Sequence, residues 1–206
     1  DPSLIGLCQI ASELKIHLLI GSLALKTHDP DGRFANRSFL IDPDGEILAR
    51  YDKIHMFDVA ISETETWFES EGYRPGSKAV LAKTNFESIG MAVCYDMRFP
   101  RLADALVNAG AQILTFPAAF SPETGAAHWH SLLRARAIEA GAWVLAPAQT
   151  GTHQGVSEKK RSTYGHSLVI SPWGEVILDA GIEAGAYLFD LDLDKVTEAR
   201  RRVPSR

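Results

Sequence analysis

The chain has 206 residues, and its 21 lysines and arginines against 26 aspartates and glutamates give a formal net charge of −5. This length predicts one domain with a core of useful size, and the acidic balance argues against a nucleic-acid-binding surface. Hydrophobic residues make up 46% and charged residues 23%, which is typical of a globular domain and excludes a disordered chain.

The first third of the chain predicts a helix, a strand, a hairpin and a loop. Residues 1–15 carry apolar side chains at helical spacing, and residues 17–23 form a short apolar run. Residues 37–51 predict a β-hairpin around the turn Asp-Pro-Asp-Gly. Residues 53–78 show no clear period, so we predict a long loop, and loops of that length in compact domains are usually functional.

The rest of the chain predicts alternating strands and helices. The predicted elements are strands at 78–83 and 88–94, a helix at 99–109, a strand at 112–116, a helix at 126–140 and a strand at 142–147. This order is typical of a βαβαβ unit with right-handed crossovers. Three antiparallel strands at 164–170, 175–178 and 186–191 and a charged helix at 194–202 follow.

Two cysteines, Cys8 and Cys94, are too few for a disulfide scaffold and predict a reducing, cytoplasmic location. No apolar segment reaches the roughly 18 residues that a membrane-spanning helix needs. Cys94 lies at the carboxyl end of a predicted buried strand, where the following helix start favours the thiolate. A buried core cysteine is an equally common occupant of such a position, so position alone leaves both interpretations open.

Several motifs occur in order along the chain. They are Tyr51-Asp-Lys-Ile-His-Met-Phe-Asp58, Phe68-Glu-Ser70, Cys94-Tyr-Asp-Met-Arg-Phe-Pro100, Thr124-Gly-Ala-Ala-His-Trp129 and Tyr164-Gly-His-Ser167. Together they resemble the nitrilase superfamily of carbon–nitrogen hydrolases, in its Nit-type amidase branch. The resemblance implies an α/β fold, a four-layer α-β-β-α sandwich, in a single domain over residues 1–206. It also implies a homodimer or larger homo-oligomer, and no cofactor.

The resemblance further implies hydrolysis of a linear amide by a Cys–Glu–Lys triad. Cys94 takes the position of the nucleophile, which forms a thioester that water then hydrolyses. Lys53 takes the position of the lysine, which favours the thiolate and stabilises the oxyanion together with the backbone N–H of Tyr95. Without the motif around it, Lys53 would be predicted to be a solvated surface lysine.

Glu69 matches a second glutamate of the family that orients the lysine, and it is the best acid–base candidate in this chain. The alternative is one charge in an acidic loop, since Glu63, Glu65 and Glu71 lie close by. The general-base glutamate of the triad normally lies in a Pro-Glu segment upstream, and no such pair occurs in the first fifty residues. We therefore expect a truncated, partial domain from a longer protein, and the alternative is a shortened, inactive family member.

Four residues are predicted to line the substrate site: Tyr95, Arg98, Phe120 and Thr124. Arginine suits bidentate binding of a substrate carboxylate, and a structural salt bridge from Arg98 to Asp96 or Asp104 is an equal alternative.

The predicted substrate is a small molecule, the ω-amide of a small dicarboxylic acid. Nitrile or N-carbamoyl hydrolysis and an inactive nitrilase-fold binding or scaffold protein are the alternatives. His55, His153 and His166 have no metal-ligand spacing and no cysteine partner, so we predict structural roles for them and no metal site. We expect neither nucleic acid nor membrane as a partner.

Overall fold

The computed structural model describes residues 1–28, 30–61, 66–154 and 160–204. The helices are α1 (Pro2–Leu14), α2 (Glu69–Gly72), α3 (Pro100–Asn108), α4 (Pro122–Ala140) and α5 (Asp194–Arg202). The strands are β1 (Leu18–Lys26), β2 (Phe34–Ile41), β3 (Ile47–Asp52), β4 (Asp58–Ala60), β5 (Thr66–Phe68), β6 (Tyr73–Arg74), β7 (Val80–Lys83), β8 (Ser88–Met91), β9 (Ile113–Thr115), β10 (Trp143–Ala146), β11 (Thr150–Gln154), β12 (Lys160–Tyr164), β13 (Leu168–Ile170) and β14 (Val176–Asp179). None of these helices is long and apolar enough to cross a membrane.

The first sheet is antiparallel in the order β1-β2-β3, and β6 pairs with β2 in parallel. The predicted hairpin is confirmed as β2 and β3. Its turn is closed by Asp42, whose carboxylate accepts the N–H groups of Asp44 and Glu46, each at 2.9 Å. Gly45 completes the turn at φ 84°, a conformation that favours glycine. This turn therefore sets the register between β2, which carries Asn36, and β3, which Lys53 follows directly.

The second sheet has the order β14-β13-β10-β9-β8-β7, and its three central strands β8, β9 and β10 run parallel. Helix α3 joins β8 to β9, and α4 joins β9 to β10, as in the predicted βαβαβ unit. The apolar side chains of these central strands are buried, which explains their continuous hydrophobic runs in the sequence. The carboxyl ends of β8 and β9 lie side by side and carry the loops of the candidate site.

The two sheets pack face to face between layers of helices. Phe39 and Ile41 of β2 pack with Ala11 of α1, whereas Leu40 between them joins the core shared with the second sheet. This alternation is the two-residue period of a strand that is buried on both faces. Helices α3 and α4 cover the second sheet, so the predicted α/β fold with four layers is confirmed.

Three predicted segments differ from the structure. The strand predicted at 164–170 is interrupted, because β12 ends at Tyr164 and β13 begins at Leu168. The predicted loop at 53–78 contains the β4-β5 pair, α2 and β6, all of which are too short to leave a period in the sequence. The predicted strand at 186–191 does not form, and Leu188 is 97% exposed. Strand propensity depends on a neighbouring strand, and the described residues pair none with this segment.

Candidate active site

Cys94 occupies a sharp turn between β8 and α3. It opens a 3₁₀ turn, Cys94–Arg98, and has φ 51°, in the left-handed region that a non-glycine residue rarely adopts. The Cys94 N–H donates to the carbonyl of Pro117 at 2.9 Å, which ties the turn to the end of β9. Such observed strain is typical of functional sites, where the surrounding structure holds a reactive side chain in place.

Lys53 follows β3 directly and is only 3% exposed, so it is not a solvated surface lysine. Its N–H donates to the Asn36 carbonyl at 2.9 Å, and its carbonyl accepts the Gly76 N–H at 2.7 Å. A Cβ on Gly76 would lie 2.2 Å from the carbonyl oxygen of Asp52, so only glycine allows this close approach. The backbone of Lys53 is thereby fixed on both sides.

Glu69, the first residue of α2, forms a buried ion pair with the Lys53 ammonium. Its carboxylate also accepts the Phe57 N–H at 2.6 Å and the Asn36 side-chain amide at 2.9 Å. Both carboxylate oxygens are thus engaged, which supports the predicted orienting role and gives no support to a free proton acceptor. Glu63 and Glu65 lie outside the described residues, and Glu71 is exposed.

The thiol of Cys94 lies in the field of this ion pair. Burial raises the pKa of the Cys94 thiol, whereas the Lys53 charge and the N–H of Ala119 lower it. The Glu69 charge acts in the raising direction, and the net pKa lies above its ordinary value. The expectation of an easily ionised thiol is therefore wrong, because desolvation outweighs the favourable charges and the 3₁₀ turn of five residues carries little dipole.

Asp96 joins the cysteine turn (Cys94–Arg98) to the lysine loop, which is the segment 53–57 after β3. The sequence analysis does not single out Asp96 as a site residue. Its carboxylate is buried and accepts the Tyr51 hydroxyl at 2.7 Å and the Val93 N–H at 2.9 Å. The His55 N–H at 3.0 Å and the His55 ring nitrogen Nδ1 at 2.7 Å complete its partners. Burial and the Asp96 charge raise the pKa of Tyr51, so the hydroxyl stays a proton donor.

The Asp96 cluster also fixes the His55 ring against the residue that precedes α3. The His55 ring stacks on Phe99 with centroids 3.5 Å apart, a contact that agrees with the structural role predicted for that histidine. A signal for Asp96 existed in the sequence, because a charged residue follows the apolar strand within the Cys-Tyr-Asp motif. Asn36, in the middle of β2, carried no comparable signal.

Three of the four predicted substrate-site residues lie together. The Arg98 guanidinium stands 5.8 Å from the Tyr95 ring centroid and 5.5 Å from that of Phe120, and it contacts His128 Nδ1 at 3.1 Å. Asp96, one alternative partner for Arg98, is engaged elsewhere. Thr124 lies at the start of α4, and its buried hydroxyl has no hydrogen-bond partner among the described residues.

Comparison of the sequence with known protein families gives a match over most of the chain. Residues 1–201 match the carbon–nitrogen hydrolase family. The chain belongs to this family.

Relatives of this carbon–nitrogen hydrolase agree in sequence and in fold. It is 38% identical over 198 residues to a deaminated glutathione amidase of Synechocystis sp., covering 95% of this chain and 71% of that protein. It is 36% identical over 200 residues to the human omega-amidase NIT2, covering 96% of this chain and 69% of the relative. The C. elegans NitFhit structure superposes with a TM-score of 0.86 at 36% identity, covering 98% of this chain and 48% of that one. The predicted superfamily and fold are confirmed.

Proposed function

We propose that this carbon–nitrogen hydrolase cleaves a linear amide to a carboxylate and ammonia, with Cys94 as the nucleophile. The amidase class agrees with the family and with the names of both relatives. The observation that carries the residue assignment is the strained Cys94 turn, whose thiol lies in the field of a buried lysine. A core cysteine would need neither the strain nor the cation.

The chemistry follows from these groups. The Cys94 thiolate attacks the amide carbon, a C–S bond forms, and the oxyanion develops beside the Lys53 ammonium and the Tyr95 N–H. The proton lost by the thiol passes to the leaving nitrogen, the C–N bond breaks, and ammonia departs while the acyl group stays on Cys94 as a thioester. Water then attacks the thioester, which releases the carboxylate and restores the thiol.

Proton transfer needs an acceptor, and Glu69 is engaged by three donors. Its role is to hold the Lys53 ammonium toward the reacting oxygen. The family resemblance assigns proton abstraction to a general-base glutamate that no position in this chain matches.

The proposed substrate is the ω-amide of a small dicarboxylic acid. Arg98 supplies a cation beside Tyr95 and Phe120, and a guanidinium suits bidentate binding of the second carboxylate. The buried Thr124 hydroxyl supplies a further polar atom that the described residues leave free. A guanidinium beside aromatic rings favours a short substrate that carries a remote carboxylate.

The test compares ammonia release from the monoamide of a four-carbon dicarboxylate, its methyl ester, a nitrile and an N-carbamoyl compound. Cys94→Ala should lower turnover at least about 10³-fold, and denaturing mass spectrometry should detect an acyl adduct on the unsubstituted protein only. Arg98→Met should raise KM for the monoamide and leave the neutral ester unchanged. Full turnover by Cys94→Ala would contradict the mechanism, and preference for the nitrile or carbamoyl compound would contradict the substrate class.

We also propose that the protein acts as a homo-oligomer in a reducing, cytoplasmic compartment. Both cysteines are free, and a thiol nucleophile must stay reduced to react. Light scattering on the eluted protein should give at least twice the chain mass, and a monomer at micromolar concentration would contradict the assembly.

A further inference from the structure

Three side chains that the proposed chemistry does not use converge at the surface beside β14. The His130 ring nitrogen Nε2 lies 2.9 Å from Asp179 Oδ2, and the His166 ring nitrogen Nδ1 lies 3.1 Å from the same oxygen. The three potential ligand atoms lie within 4.8 Å of one another. Each side chain is about one quarter to one third exposed, so the cluster is open to solvent on one side.

Separate elements bring these residues together. His130 projects from the middle of α4, His166 precedes β13, and Asp179 ends β14, where it pairs with Leu168 in the ladder. The three residues lie 36 and 13 positions apart, so no short metal-ligand spacing is visible in the sequence. For this reason the sequence analysis predicts no metal site.

The geometry points to a metal site: we propose that His130, His166 and Asp179 bind one divalent transition-metal ion such as Zn²⁺. Two imidazoles and one carboxylate are a common ligand set for Zn²⁺ and Fe²⁺, and three protein ligands leave a coordination position for water. Ligands about 2.1 Å from one ion at tetrahedral or octahedral angles lie about 3.0–3.4 Å apart. The nitrogen–oxygen distances of 2.9 and 3.1 Å are close to that separation. The two histidine nitrogens lie within 4.8 Å of each other, so they must approach by up to about 1.8 Å for octahedral angles or about 1.4 Å for tetrahedral ones.

The surrounding structure fixes the positions of His166 and Asp179 before any ion binds. His166 has φ 57°, a left-handed conformation fixed by its N–H to the Gly181 carbonyl at 2.6 Å. Its carbonyl accepts the Trp129 indole N–H at 2.8 Å, and its ring stacks on Tyr164 with centroids 4.5 Å apart. The Gly181 N–H donates to Asp179 Oδ1 at 2.9 Å, and His166 Nδ1 lies 2.9 Å from that oxygen as well as 3.1 Å from Oδ2, so both histidines contact the same carboxylate. Strain at a non-glycine residue whose ring meets a carboxylate is what a ligand-binding role explains.

The competing interpretation is a purely hydrogen-bonded cluster that fastens α4 to the second sheet. It predicts the same contacts, but no ion affinity. The two interpretations therefore separate in a binding experiment that is independent of amide hydrolysis.

The experiment uses the tag-free chain with Cys8→Ala and Cys94→Ala, so that no thiol competes for the ion. Calorimetry with Zn²⁺ and visible absorption with Co²⁺ should show one ion per chain at micromolar concentration. Saturating Zn²⁺ should raise the melting temperature by about 5–10 °C at 100-fold excess over Kd.

Removal of one ligand should weaken Zn²⁺ binding by at least about 100-fold, whereas a histidine elsewhere should not matter. His130→Gln keeps a hydrogen-bonding group on α4, and His166→Asn keeps a residue type that tolerates φ > 0. His17→Gln is the matched control. A chain that binds no ion at 100-fold the protein concentration would overturn the proposal, as would a folded His130→Gln chain with unchanged affinity.

Discussion

The carboxylates of Asp96 and Glu69 lie on either side of the lysine loop, and they bind different kinds of partner. Asp96 accepts one hydroxyl, two backbone N–H groups and one imidazole nitrogen, and these partners come from the lysine loop and from the cysteine turn. Glu69 accepts one backbone N–H, one amide and an ammonium. Asp96 therefore fixes two segments relative to each other, whereas Glu69 fixes a charge.

Asp96 and Glu69 are both shielded from solvent and hydrogen-bonded, so these two properties do not by themselves identify a chemical role. Removal of the Asp96 carboxylate should act first on stability, because four donors would lose a buried acceptor. Removal of the Glu69 carboxylate should act first on the ionisation of the site, because its charge acts on both Lys53 and Cys94. Substitutions at Lys53, Asp96 and Glu69 test this distinction.

Lys53→Met should have the largest effect. Loss of the ammonium removes a stabilising charge from the oxyanion, so kcat/KM should fall by about 10²–10³-fold. The Lys53 charge lowers the pKa of Cys94, so its removal should move the alkylation rate of Cys94 to higher pH. Iodoacetamide labelling from pH 6 to 10 checks the shift. Lys78→Met, at an exposed lysine, is the control. An unchanged labelling profile in Lys53→Met would contradict the effect of the Lys53 charge on the Cys94 thiol.

Asp96→Asn should rank second, through the fold. The amide keeps one acceptor oxygen but turns an NH2 group toward two of the four donors, so the free energy of unfolding should fall by about 2–4 kcal/mol. Tyr51→Phe removes one partner only and should cost about 1–2 kcal/mol. Urea unfolding of both single variants and of the double variant gives the coupling between them. Strict additivity would mean that the hydroxyl and the carboxylate act independently, against the shared cluster.

Glu69→Gln should have the smallest effect on rate, about 10-fold to 100-fold, because Lys53 stays in place by its backbone contacts but loses its ion pair. The Glu69 charge raises the pKa of Cys94, so the labelling profile should move to lower pH, opposite to Lys53→Met. Glu71→Gln, two residues further on and exposed, should change neither rate nor profile. A shift to higher pH in Glu69→Gln would mean that Lys53 moves away from the thiol, and it would contradict the expectation that the backbone contacts of Lys53 keep it in place without the ion pair.

The sequence predicts the layered core well because its signals are local. The hairpin of β2 and β3 follows from one Asp-Pro-Asp-Gly turn, and the parallel strands follow from continuous apolar runs such as the one that ends before Cys94. Segment 53–78 was predicted poorly, because pairs of three residues such as β4 and β5 leave no period. Segment 186–191 was mispredicted because strand formation requires a pairing partner that the sequence pattern does not reveal.

The candidate site divides in the same way. Lys53, Glu69 and Cys94 were found by motif, and the structure brings them together, but their catalytic roles remain predictions until the variants are measured. Asn36 and the hydrogen bonds of Asp96 were missed, because contacts between residues more than 30 positions apart depend on the folded arrangement of the chain and not on local pattern. The ionisation of Cys94 was mispredicted because burial is a property of the folded chain and not of the motif.

The left-handed backbone of Cys94 has a consequence for how the protein loses function. A non-glycine residue at φ 51° costs on the order of 1 kcal/mol, so the turn has a lower-energy alternative as soon as its restraints loosen. The restraints on this turn include the Cys94 N–H bond to Pro117, the anchoring of the turn by Asp96 and the bond from the Arg136 guanidinium to the Met97 carbonyl at 2.8 Å. Mild heating or denaturant should therefore relax residue 94 and misdirect the thiol while both sheets are still intact, so inactivation would precede unfolding.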